Sequence, residues 1–93
     1  DDSYTQHTYI IKNTANGLFK IGKSKTPKQR IRTLETSCGN KMEVCCIFNK
    51  DIELQLHREF SNCRTMGEWF ALDEFQVKNL LARHEEFMAK QVL

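Results

Sequence analysis

Tyr9-Ile10-Ile11-Lys12-Asn13-Thr14-Ala15-Asn16-Gly17-Leu18-Phe19-Lys20-Ile21-Gly22-Lys23-Ser24 is two strand-like runs either side of Asn16-Gly17. Asn and Gly both tolerate the positive φ of a type I′ turn, so the stretch predicts a β-hairpin. A two-residue turn centred there sets Tyr9 opposite Ser24 and Ile11 opposite Gly22. Odd positions of the first strand then share a face with even positions of the second, which puts Tyr9 and Lys20 on one side of the sheet. A three-residue loop would break that parity. Phe19 and Ile21 fall on the other side, as core residues. Gly22 ends the strand, either for a close backbone approach or for a plain turn.

Outward from the hairpin, Thr26-Pro27-Lys28-Gln29 reads as a helix start, with Thr26 as cap, Pro27 in the first turn and Gln29 closing a capping box. Ile31, Leu34 and Cys38 form its inner stripe, and Gly39 stops it. Lys28 and Arg32 share a face from which Arg30 is turned away. Met42–Phe48 is nearly continuously apolar and predicts the central buried strand. A second helix starts at Asp51, burying Ile52, Leu56 and Phe60, with Glu53 and His57 four apart at the edge of that stripe. Trp69 and Phe70 close the core, with base stacking as a lesser alternative for Trp69. Asp73 and Gln76 form a second capping box, and Val77, Leu80, Leu81, His84 and Met88 mark one face of a last helix. Asp1–His7 is a polar lead-in.

The chain has 93 residues, enough for one domain with its own core. No apolar run predicts a membrane span and nothing resembles a signal peptide, so the expected setting is cytoplasmic, or nuclear in a eukaryote. The first residue is Asp, so a neighbouring domain or partner that sets target choice is an open expectation. Cys38, Cys45, Cys46 and Cys63 have neither C-x-x-C nor zinc spacing and read as reduced, mostly buried thiols. Residues 1–42 hold eight Lys/Arg against three Asp/Glu, and residues 43–93 hold six against nine. Six cations and no anion lie from Lys20 to Arg32. Such one-sided charge attracts phosphate backbones, although a merely solvated basic face has the same composition.

Thr8-Tyr9-Ile10, Lys20-Ile21-Gly22, the Glu53-x-x-x-His57 helix and Gly67-Glu68-Trp69-Phe70 together resemble the GIY-YIG nuclease superfamily. The likeness is closest to its compact phage and viral domains and spans about residues 8–72. It implies an α/β (α+β) domain over 1–93: a three-stranded antiparallel sheet flanked by helices, then a C-terminal helix over 73–93. It further implies a metal-dependent endonuclease that hydrolyses DNA phosphodiesters, with RNA as an alternative substrate and Mg²⁺ or Mn²⁺ as cofactor. Tyr9 would stand on the nucleophile side, Arg30 at the scissile phosphate and Glu53 on the metal. Lys20 replaces the second motif tyrosine and supplies charge without a phenol's geometry. His57 either packs on the sheet or assists at the phosphate, the structural role being preferred. Lys23, Lys25, Lys28 and Arg32 would grip the backbone without reading sequence. Asn62 is the nearest match to an asparagine common in the family, unless the Gly-Glu-Trp-Phe run replaces it. A non-catalytic nucleic-acid-binding module and a protein-interaction domain with a basic face are the rival functions.

Overall fold

The hairpin joins β1 (His7–Asn13) to β2 (Phe19–Ser24) in a computed structural model that describes residues 5–91. Its turn differs from the expected one. Among the described residues only glycines have positive φ, so Asn16 does not adopt the type I′ conformation, while Gly17 does turn left-handed at φ 74°. Asn13 N–H donates to Leu18 O at 2.9 Å and Gly17 N–H to Asn13 O at 2.8 Å, closing a loop over residues 14–17. The Asn side chains serve the loop instead, Asn13 Oδ1 accepting from Ala15 N–H and Asn16 Oδ1 from Leu18 N–H. Tyr9 therefore pairs with Gly22 and Ile11 with Lys20. The loop grew by an even number of residues, so the parity that puts Tyr9 and Lys20 on one face survives.

The sheet has five strands in the order β3-β1-β2-β5-β4, not the three expected. The additions are β4 (Arg64–Met66) and β5 (Trp69–Phe70), too short to show alternation and joined through Gly67 at φ 57°. β3 (Met42–Phe48) is an edge strand rather than the central one, because β1 lies between it and β2. Its apolar run misled: Val44 is 52% exposed, and Cys45 bulges out between partners Cys46 and Val44 of Ile10 and Ile11.

Each face of the sheet is covered. α1 (Pro27–Cys38) lays Ile31 on Tyr9, Ile11 and Met42, with Leu34, Ile47 and Trp69 at the margin. On the other face α2 (Glu53–Glu59) and α3 (Glu74–Gln91) bring Leu56 and Leu80 onto Ile10, Ile21, Phe48 and Phe70. Pro27 and Gly39 bound α1 as expected, but the Thr26 side chain makes no cap bond; Ser24 Oγ accepts from Thr26 N–H instead. The second box does form, since Asp73 Oδ1 accepts from Gln76 N–H at 2.7 Å and Gln76 Oε1 from Asp73 N–H at 2.9 Å. Cys38, Leu81 and Met88 are exposed, against expectation, and Phe87 takes the inward place beside Phe48. Of the four thiols only Cys46 is buried. His84 Nε2 donates to Ile47 O at 3.0 Å, tying α3 to the outer strand. Among the described residues no helix is long and apolar enough to cross a membrane.

Candidate active site

The site arises where β2 runs out of partner. β5 pairs only with Phe19 and Lys20, after which Ile21 N–H donates to Glu68 O at 3.1 Å. In an antiparallel ladder the same residue's carbonyl points to the same side and needs a donor there. His57 supplies it from α2, its Nε2 lying 2.7 Å from Ile21 O. A carbonyl only accepts, so Nε2 carries the hydrogen and a neutral ring leaves its lone pair on Nδ1. The ring also packs edge-on against Phe70, centroids 5.0 Å apart. The structural role expected of His57 is thus present, with one nitrogen left over.

Glu53 precedes His57 by one helical turn, and Glu68 comes from the residue before β5. One ligand-type atom from each of the three lies within 4.8 Å of the others. The Glu53 carboxyl is pushed above its ordinary range, first by burial and then by the Glu68 charge; His57 and Lys23 pull it back. Two carboxylates held this close in a partly dry edge favour a cation between them.

A hydroxyl fixes α2 in this place. Thr8, fully buried, donates from Oγ1 to Lys50 O at 2.9 Å and accepts from Ile52 N–H at 2.8 Å. The start of α2 is therefore pinned to β1 beside Tyr9. Thr8 is a positioning residue that the sequence reading quoted but did not use; a hydroxyl before an aromatic carries no distinctive pattern.

Tyr9 is 1% exposed, and its ring lies across Gly22. Burial raises the phenol above its ordinary value, while the adjacent Arg30 guanidinium, in hydrogen-bonding position, lowers it and the Glu68 and Glu53 charges raise it. These couplings bring Tyr9, Arg30, Glu53 and Glu68 into one electrostatic neighbourhood. Lys20 joins through Glu68, its Nζ 2.9 Å from Oε1 and 5.5 Å from the Trp69 ring centroid. Glu68 is the principal site residue that the sequence leaves unmarked, since nothing in Gly67-Glu68-Trp69-Phe70 says where its acid will lie. Asn62 lies exposed on the 3-10 turn Ser61–Cys63.

The four expected backbone-gripping cations divide. Lys25, Lys28 and Arg32 line a cavity of about 520 Å³ with His7, Pro27 and Ile47 beside the start of α1. Lys23 instead faces α2 and pairs with Asp51 at 3.3 Å.

These features define an α+β domain with acids, an imidazole and a lysine gathered where β2 loses its partner, and a groove at the start of α1 bordered by Lys25, Lys28 and Arg32. The chain matches the T5orf172 domain over residues 6–85 and belongs to that family, a nuclease-like family of phage domains. No curated protein and no solved structure matches it.

Proposed function

We propose that the chain is a GIY-YIG-type endonuclease domain that hydrolyses DNA phosphodiesters with a divalent metal ion. The observation that carries this reading is the gathering of Glu53, His57 and Glu68 within one ion's reach, with Tyr9 coupled both to the two acids and to Arg30. A divalent ion held there would neutralise charge developing on phosphate oxygens. Arg30 offers a planar fork to the same phosphate. Tyr9, its hydroxyl raised by burial, stays a neutral phenol near pH 7 and so orients a water or phosphate oxygen rather than removing a proton. Lys25, Lys28 and Arg32 hold the neighbouring backbone.

A nuclease assay on a panel of duplex, branched and single-stranded DNA, and RNA, tests this, run in EDTA, Mg²⁺ and Mn²⁺ with wild type and Glu53→Ala. Metal-dependent cleavage lost in the variant supports the proposal. One observation favours a second reading, a binding module without turnover: Lys20 is occupied by Glu68 and Tyr9 is almost wholly covered. Salt-sensitive DNA binding with no cleavage in any metal would select it. Absence of DNA binding even at low salt would favour a protein partner for the basic face.

A further inference from the structure

The metal-dependent reading above leaves open how the ion is held. Magnesium sites commonly use one or two carboxylates and keep several waters. The edge of β2 offers more than that. Glu53 and His57 stand one helical turn apart on α2, and Glu68 meets them from the β4–β5 connection, their donor atoms within 4.8 Å of one another. His57 gives Nε2–H to the Ile21 carbonyl, so an ion would have to take Nδ1, the arrangement in which metal-bound histidines are commonly held. Glu68 spends Oε1 on the Lys20 ammonium at 2.9 Å, which leaves Oε2 for an ion.

We infer that Glu53, His57 Nδ1 and Glu68 form a three-ligand site for a divalent first-row transition ion, taking Mn²⁺ or Co²⁺ ahead of Mg²⁺. The inference rests on the nuclease reading for its purpose but not for its evidence. An imidazole nitrogen is the discriminating donor: it suits transition ions and adds little for Mg²⁺. The charge count also fits. Two carboxylates, one already paired with Lys20, leave room on a dication for an anionic phosphate. Lys20 thereby becomes a positioning residue, holding Glu68 so that its second oxygen faces α2.

Titration calorimetry of the full chain with Mn²⁺, Co²⁺ and Mg²⁺ in turn tests the site, with no nucleic acid present. The decisive variant is His57→Gln. A glutamine amide nitrogen reaches the Nε2 position and keeps the bond to Ile21 O, but nothing replaces Nδ1. Its fold is checked by thermal unfolding. Wild type should bind Mn²⁺ and Co²⁺ more tightly than Mg²⁺. In His57→Gln the Mn²⁺ and Co²⁺ affinities should fall at least about tenfold, the lower end of what losing even an outer partner costs, while Mg²⁺ changes far less. Substoichiometric Mn²⁺ should broaden the His57 ring signals more strongly than those of His84, which is held against Ile47 O on the outer strand. Equal binding of Co²⁺ by wild type and a folded His57→Gln, or no preference over Mg²⁺, overturns the inference. Selective ion binding without DNA cleavage would leave it standing and refute the nuclease reading alone. Cleavage in Mg²⁺ with selectivity unaltered by His57→Gln would do the reverse.

Discussion

Gly22→Ala isolates the contact on which the Tyr9 side of the site depends. A Cβ built at Gly22 lies 2.6 Å from both Cζ and the hydroxyl oxygen of Tyr9. Nothing in the backbone there demands glycine, since Gly22 is not among the residues with positive φ. The penalty is therefore steric, and the ring must move because strand pairing holds both backbones. Tyr9 is 1% exposed beneath α1, so it has little room to swing. Forcing a methyl into a packed site costs about 1–3 kcal/mol. Alanine recovers about 0.4–1 kcal/mol from a less flexible unfolded chain. The net loss is about 1–2 kcal/mol, or about 5–15 °C in Tm for a domain of this size. Thermal and urea unfolding of Gly22→Ala would be compared with wild type, and again in a Tyr9→Leu background. Leucine lacks the two clashing atoms, so the alanine penalty should vanish there, a coupling of about 1–2 kcal/mol. An unchanged Tm in Gly22→Ala, or the same loss in both backgrounds, refutes the account.

Arg30→Ala removes the cation that lowers the Tyr9 pKa, so ultraviolet titration should find the phenol ionising at still higher pH. Because this folded-state pKa exceeds the unfolded one of about 10, its stabilisation is full below that pH and is lost as pH rises through the folded value. Alkaline unfolding of Arg30→Ala should therefore show a wider loss, and cleavage should disappear with only modest loss of DNA binding. Glu53→Gln should abolish cleavage without lowering Tm at pH 7. Its raised carboxyl pKa means that stability from this group is present in acid and lost as pH rises through the folded value, so the amide removes a cost. Thr8→Val keeps the shape but strands Ile52 N–H, and should cost about 1–3 kcal/mol in urea unfolding. Lys28→Ala should weaken binding alike on all DNA sequences and reduce the slope of log K against log salt by about 1.

The sequence was most readable where one residue's chemistry decides a local conformation. Pro27, Gly39 and the Asp73/Gln76 box marked helix ends because each acts on its own backbone or within one turn. Hairpin parity was readable because any even change in loop length preserves it, although Asn13 and Asn16 built a longer loop than Asn-Gly alone suggests. β4 and β5 were not readable, since two or three residues carry no period, β5 finds its partner β2 more than forty positions away, and β4 is held only by β5. The rank of β3 in the sheet was hidden for a related reason. An apolar run records burial by whatever lies against it, and α3 covers this edge strand with His84 and Phe87. At the site, Glu53 and His57 were legible from helical spacing, whereas Glu68 reaches them through tertiary structure alone.

The Arg64–Phe70 hairpin has a consequence for how the protein comes into being. It plants Phe70, fully enclosed, in the floor of the domain and sets Glu68 at the rim beside Lys20. Ribosomes deliver Tyr9, Arg30 and Glu53 well before this segment, so a chain stalled ahead of it lacks both a finished interior and the second acid. The second acid arrives one element ahead of α3, whose Leu80 completes the same core. Under the proposed nuclease function, a half-made copy would lack the full set of site residues and would not cut.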